Sequence, residues 1–242
     1  VPLRLALTVT DHCRHLLYYR DQVARALTFF DRWVVLLPPG PDDGSAILFQ
    51  DLQRRYPSRV SVSQWPLRWR DVREAWRSAC VDLRPELDSY PDAVYVWRWE
   101  PSEVWEASAL LGAERELDHR RGRCGSFRPV PYVGVRLRVT GGPDQHYHPR
   151  LWRWDGRLLD PEQTTGVVRL APRYEDHGLA FPFDVARRAE LADDPYLPER
   201  WRRLQERGAR EFPVPLTELY PDHHYQPQPL IHHEDEPPTL PS

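Results

Sequence analysis

Three stretches of this chain carry residue types whose spacing supports chemistry. The first is the turn Asp42-Asp43-Gly44-Ser45, between an apolar run and a helical one. Backbone N–H groups at a helix N-terminus, helped by the Ser45 hydroxyl, can bind a phosphate or uracil oxygen. The same residues also make an ordinary solvated loop with a helix cap. The second stretch is Trp97-Arg98-Trp99-Glu100-Pro101-Ser102-Glu103. Its acids are Glu100 and Glu103, and a hard cation beside a pyrophosphate takes oxygen ligands of this kind. Arg98 can take over part of that charge through bidentate phosphate contacts. The plainer reading makes Glu103 a first-turn helix acid and the two Trp packing residues. The third stretch is residues 144–156 (DQHYHPRLWRWDG), followed later by Asp176-His177-Gly178 in a loop. His146, His148 and His177 offer a general base or a metal ligand. No third fixed ligand accompanies His146 and His148. One His with Glu100 around a diphosphate-bound cation therefore fits better than a zinc site, and His146 and His148 also read as surface polar residues.

These residues need elements to hold them. Residues 3–10 (LRLALTVT) read as a buried strand, and Asp11 caps a helix over residues 12–30 with Leu16, Leu17, Val23, Ala26 and Leu27 on its apolar face. A second strand spans 33–37. A helix over 45–56 turns Ile47, Leu48 and Leu52 inward, and a short strand covers 60–64. The third helix, 70–87, carries Val72, Trp76, Cys80 and Leu83, and a fourth strand covers 92–97. Strands alternating with helices imply a mostly parallel sheet. After residue 104 the pattern changes. A helix spans 104–121, residues 128–140 and 150–159 alternate like antiparallel strands, and two more helices span 183–191 and 198–210. Residues 213–242 form a Pro- and His-rich tail that includes His223, His224, His232 and His233. In residues 65–77 (WPLRWRDVREAWR), Arg and Trp recur at helical spacing; this fits an amphipathic helix with an Arg face better than a nucleic-acid stacking surface.

Composition removes some chemistries. All 33 basic residues are Arg, so no Lys nucleophile, Schiff base or P-loop lysine exists here. Asn and Met are also absent, a bias expected of a GC-rich genome. A formal net charge of −3 gives no overall basic field toward nucleic acid or membrane. Cys13, Cys80 and Cys124 match neither a disulfide framework nor a zinc spacing, which points to reduced thiols and a cytoplasmic location. No run approaches the length of a membrane span, and the first ten residues lack the flanks of a signal peptide. The absence of a starting Met suggests a trimmed chain.

The order of these pieces resembles family 2-like glycosyltransferases with the GT-A fold, over roughly residues 3–207. Thr8-Val9-Thr10-Asp11-His12 looks like that family's first strand end, and Pro41-Asp42-Asp43-Gly44-Ser45 like the close of its nucleoside-binding turn. Asp92-Ala93-Val94-Tyr95-Val96 looks like the strand leading to the DxD metal motif. Residues 149–156 are similar to the late hairpin before the acceptor loop, and Asp176-His177-Gly178 resembles the later His-Tyr-Gly element. Two positions depart from the pattern. Pro38 stands where the nucleoside turn has its first acid, and the DxD position reads Trp97-Arg98-Trp99 before Glu100.

The resemblance implies an α/β fold with a GT-A-like, Rossmann-related, mixed and mostly parallel sheet flanked by helices. It implies one domain over residues 1–210 and a tail over 211–242. A nucleotide-sugar donor, a UDP-sugar by family default, would be bound by Thr8, Thr10, Asp11, Asp42, Asp43, Gly44, Ser45, Arg77, Trp97, Arg98 and Trp99. Glu100 and His177 would hold Mn²⁺ or Mg²⁺, if a metal is used. Asp176 or Glu175, with Asp155 and Glu162 as further candidates, would be the general base on an acceptor hydroxyl. Trp152 and Trp154 would offer ring faces to a sugar or base. The acceptor would be a glycan or small molecule, or a hydroxymethylated DNA base as in related phage DNA-hypermodification enzymes. Two other classes remain. A catalytically silent binding or scaffold protein would keep the fold without the DxD. A nucleotidyltransferase would need a Gly-rich loop and a basic residue after the first strand, and Thr10-Asp11-His12-Cys13 supplies neither.

Overall fold

The computed structural model describes residues 1–9, 20–37, 45–64, 72–100, 102–133, 137–140, 147–157, 159–160, 165–179, 185–186, 189, 193–207 and 214–215. Within these, side chains are described except at 20–22, 45–46, 48, 72–74, 131–133, 137–140, 175–179, 207 and 214–215. The apolar run Leu3–Val9 forms β1, buried along nearly its whole length. A strand without a polar face belongs in the middle of a sheet covered on both sides. β1 accordingly lies between β2 (Arg32–Leu37) and β4 (Val94–Arg98), parallel to both. β3 (Val60–Gln64) extends the sheet in parallel beyond β2. Parallel neighbours need crossover connections, and α1 (Arg20–Phe29), α2 (Ser45–Arg55) and α3 (Val72–Ser89) follow β1, β2 and β3 in turn. Beyond β4 the direction changes. β8 (His148–Arg153) runs antiparallel to β4, and β6 (Cys124–Val133) runs antiparallel to β8, with a register shift between Gly125 and Ser126. The fold is α/β, with a mixed, mostly parallel sheet in the order β6-β8-β4-β1-β2-β3.

The chain gathers into two compact units. The first comprises Val1–Pro101, Glu106–Phe127 and His148–Pro172, and holds the parallel strands with α1 to α3 and α4 (Ala107–His119). The second comprises Ser102–Trp105, Arg128–Tyr147 and Arg173–Ser242. In it β5 (Glu103–Val104) pairs antiparallel with β9 (Val167–Leu179), and β7 (Leu137–Thr140) pairs with β6 and with β10 (Val214–Pro215). It also holds α5 (Leu197–Arg207).

In the first unit, alternation along the strands divides two cores. One face of the sheet presents Leu5, Leu7, Val34, Leu36, Val94, Val96 and Trp152 to α3, whose Ala75, Trp76, Ala79, Cys80, Leu83 and Leu87 recur at helical spacing. Burial in this layer pushes the Cys80 thiol up to about 12 and raises that of Cys124 as well, so both are inert. The other face carries Trp33, Trp97 and Phe127. There Phe49 meets Trp33 edge-on, and Phe29 and Phe30 pack on Trp97. Several local expectations are corrected here. Phe49 and the expected Leu52 are buried in α2, whereas Ile47, expected on the same inner face, is 63% exposed. Glu103 is a buried strand residue, not a first-turn helix acid. The expected strand at 128–140 divides into the longer β6 and a separate β7.

On this second face a carboxylate is buried. Glu114 of α4 is 5% exposed and takes both its oxygens to Arg4 Nε, at 3.0 and 2.9 Å, while Trp97 Nε1 donates to Oε1 at 3.2 Å. One turn on, Asp118 accepts the Tyr95 hydroxyl and faces Arg153. The pair Glu114 and Asp118 thus clamps α4 to β1, β4 and β8. Desolvation raises the Glu114 pKa above its ordinary value of 4.5, against the pull of Arg4 and Trp97. Removing one partner of a buried ion pair leaves the other uncompensated. Glu114→Ala is expected to cost about 3 kcal/mol in chemical denaturation. The pH dependence follows from the raised pKa: above pH 4.5 the folded state holds this proton more tightly than the unfolded chain. The wild type should therefore lose stability relative to Glu114→Gln as pH rises through the raised value. A constant difference between the two proteins across that range would contradict this assignment.

Candidate functional site

The path of the chain creates one crevice by topology alone. From β1 it proceeds outward to β2 and β3, then returns through α3 to place β4 on the opposite side of β1. Successive connections leave the carboxyl ends of β1 and β4 in opposite directions, and ligands of open α/β sheets bind at such a switch point. Leu7 stands opposite Arg98 in the register, and the Trp99 N–H donates to the Leu7 carbonyl at 3.0 Å, prolonging the pairing past the strand end.

The pleat decides which side chains near this end can meet a ligand. Thr8, Trp97 and Trp99 are each 0% exposed. The Thr8 hydroxyl donates to the Trp99 carbonyl and accepts Trp33 Nε1 at 2.9 Å. Trp97 is held by Glu114, and Trp99 packs edge-on against Phe30 at 5.0 Å. These three, expected to contact a donor, are interior residues that shape the strand ends. Arg98 has the opposite parity, and its guanidinium lies over the ring of Trp76 on α3, 6.0 Å from the centroid. Its Nε donates to Glu100 Oε1 at 2.5 Å, and the two side chains are 22% and 16% exposed. Trp76 is itself 1% exposed, and its Nε1 has no acceptor among the described residues. The sequence placed Trp76 in a helix together with Cys80 and Leu83, but not under Arg98. The spacing from Trp76 to Cys80 held the first fact, and nothing in the sequence held the second.

The other expected site residues divide by position. Thr10, Asp11, Asp42, Asp43 and Gly44 lie outside the described residues, as do His146 and Glu162. Ser45 begins α2 as expected. Arg77 pairs with Asp160 at 3.5 Å. Asp155 is corrected. It follows β8, which runs antiparallel to β4 with Arg153 opposite Tyr95, so it lies at the amino end of β4, away from the switch point. There its carboxylate pairs with Arg123 at 3.0 Å and accepts the Arg157 N–H at 3.1 Å, closing a turn around Gly156, whose φ of 81° suits glycine. Trp152 is 0% exposed against Trp76, so its ring is not a free sugar platform, while the partly buried Trp154 donates Nε1 to Asp88 at 2.8 Å. In the second unit Glu175, Asp176 and His177 lie within β9 rather than in the expected loop, with Val104 opposite Glu175 and Glu103 opposite Asp176. Their side chains are outside the described set. Glu103 is 2% exposed and accepts Trp105 Nε1 at 3.2 Å, and Trp105 stacks on Tyr174, the residue before Glu175, at 4.7 Å.

A divalent cation needs several oxygen ligands converging on one point. At the end of β4 two of the motif positions are core Trp residues, and the Glu100 carboxylate is engaged by an arginine. Among the described residues no three His, Cys, Asp or Glu side chains gather in a way that could hold a metal. The described residues at this strand end do not fit a cation, and the side chain of His177, the expected second ligand, lies outside them.

No protein-family model matches the sequence, and no curated protein matches it. Two solved structures resemble the fold. A crystal structure of S. aureus TarS 1–349 shares 12% identity at a TM-score of 0.44, over 77% of this chain and 64% of that one. A crystal structure of S. aureus TarS shares 12% identity at a TM-score of 0.43, over 77% of this chain and 39% of that one. The chain thus spans less than two thirds of either.

The interior role of Thr8 is testable. Thr8→Val strands the Trp33 N–H and the Trp99 carbonyl in the core, an expected loss of about 2 kcal/mol in denaturation. Thr8→Ser, which keeps the hydroxyl, should lose less than half of that. Equal losses would mean the methyl group, not the hydrogen bonds, matters at this position.

Proposed function

We propose that this chain transfers a sugar from a nucleoside-diphosphate sugar to a hydroxyl group of an acceptor, using a GT-A-like fold. The observation that carries the proposal is the Arg98 guanidinium at the carboxyl end of β4, next to β1, where the strand order reverses. A half-buried arginine at a switch point is suited to a diphosphate, because the planar fork meets two phosphate oxygens at once. The order β3-β2-β1-β4, continued by an antiparallel β8, supports the same reading. So does the start of α2 after β2, where the nucleoside turn is expected.

In the transfer, the acceptor oxygen attacks the anomeric carbon and forms the new C–O bond. The bond from that carbon to the β-phosphate oxygen breaks, and the nucleoside diphosphate leaves with its electron pair. Arg98 would stabilise the charge that builds on that diphosphate. The acceptor proton would pass to a carboxylate, for which Asp176 is the first candidate and Glu175 the second. Inversion at the anomeric carbon follows from a single displacement. A UDP-sugar is the proposed donor, and a glycan or small-molecule hydroxyl the proposed acceptor. The net charge of −3 gives a DNA acceptor no support. No helix among the described residues is long and apolar enough to cross a membrane.

A second reading has its own support. The strand end that would carry metal-binding acids is built from core Trp residues, as suits a nucleotide-binding protein without transfer activity. Two measurements separate the readings. Nucleoside diphosphates and their sugars should raise the melting temperature, and incubation with the matching nucleotide sugar should release nucleoside diphosphate. Asp176→Asn should lower that release by about 10²-fold or more while leaving the thermal shift in place. Stabilisation without release in the wild type would select the binding protein. No shift with any nucleotide would remove both.

A further inference from the structure

The β4 end supplies positive charge where this fold would use a cation, and it supplies it by an arrangement of donors. Arg98 has five N–H bonds, and its Nε–H is the one spent inside the protein, on Glu100. Among the described residues, neither Nη group makes a hydrogen bond. The guanidinium plane is fixed from two directions, by the Glu100 carboxylate at Nε and by the Trp76 ring under Cζ. This leaves the Nη1–Nη2 edge, the edge that pairs with two oxygens of one phosphate. Beneath it Trp76 is 1% exposed and carries a second N–H without an acceptor among the described residues. The Nη–H bonds of this partly exposed guanidinium are open to an acceptor-rich partner, and a diphosphate is one.

We propose that this chain binds the diphosphate of its nucleotide without a divalent cation, through the Arg98 fork, and that Glu100 is the positioning residue of that fork and not a metal ligand. The proposal rests on the nucleotide-dependent function argued above. It makes the site's charge independent of metal concentration. It also gives the Glu100 carboxylate a structural role, which is to hold Nε so that the guanidinium does not rotate away from its ring. Binding then exchanges the water on the Nη edge for phosphate oxygens, with the Arg98–Glu100 pair kept intact.

Titration calorimetry with uridine diphosphate tests this on the full chain, once with excess EDTA and once with millimolar Mn²⁺. The expected result is the same affinity in both. Arg98→Ala should weaken binding about 10- to 100-fold in either condition, the usual worth of hydrogen bonds to a charged group. Arg98→Lys, which keeps the charge and loses the fork, should recover only part of it. Glu100→Ala, which releases Nε, should weaken uridine diphosphate binding several-fold in both conditions, and Glu100→Gln, which keeps an acceptor for Nε, should recover most of that loss. A melting curve for each variant confirms folding, and Glu100→Gln decides the question even if Arg98→Ala fails to fold. Binding that appears only with Mn²⁺ and is lost in Glu100→Gln overturns this proposal while leaving the transferase reading standing. Absence of binding by any nucleoside diphosphate in both conditions overturns that reading and this proposal together.

Discussion

The Thr8 hydroxyl is the point on which the candidate site depends. It accepts from the Trp33 indole, which comes from the amino end of β2, and donates to the carbonyl of Trp99 beyond β4, so one side chain near the carboxyl end of β1 links all three parallel strands. Parallel ladders alone do not define where a strand stops pairing; the ends fray into loops. Here the main chain after Arg98 continues along β1 because Trp99 is bound twice, through its N–H to Leu7 and its carbonyl to Thr8. That continuation fixes the alternation through Trp97, Arg98 and Trp99. With the two indoles held in the core, the residue between them must project to the other face. Arg98 owes its direction to its neighbours' burial.

The same parity links this end of the sheet to the clamp behind it. Trp97 is bound at its ring edge by Glu114 and packed by Phe29, Phe30 and Phe127. Arg4 completes the Glu114 pair and lies over Phe29 at 5.2 Å. A buried ion pair contributes little net stability compared with an apolar replacement, because desolvation offsets most of its Coulomb energy. Its effect is orientation. It sets α4 against β1 and β4 in one register, which holds Trp97, and through Trp97 the strand that carries Arg98.

Much of the fold was legible in the sequence, for a physical reason. Strands of a central parallel sheet are apolar runs, and the helices between them show a helical period, so β1 to β4 and α3 stood out from LRLALTVT, RWVVLL, VSVSQ and DAVYVW. The site was legible in its address and not in its contacts. Strand parity separates Trp97 and Trp99 from Arg98, but the expected strand stopped at residue 97, short of the alternation that continues to Trp99. Asp155 was misplaced because the antiparallel alternation of residues 150–159 does not state that their neighbour is β4. Once β8 runs antiparallel, its carboxyl end moves to the opposite edge of the sheet. β9 escaped notice because Pro172 and the charged run Arg173 to His177 break the apolar alternation, and its pairing with β5 comes from tertiary context that propensity does not carry.

An arginine and a cation solve the same electrostatic problem in different ways. A divalent ion brings twice the charge, but it must be collected from solution and held by carboxylates that are themselves repelled by the phosphate. A guanidinium stays charged at every physiological pH, and its hydrogen bonds are directional. Directionality becomes useful only if the plane is held, and an arginine side chain has much rotamer freedom to lose. In this chain that ordering is done by two neighbours of different kinds, an anion at Nε and an aromatic face beneath Cζ. The carboxylate that would otherwise recruit a metal is thus consistent with the arginine beside it. Glu100 and Arg98 are two parts of one device, and the core Trp residues on either side of Arg98 set where that device points.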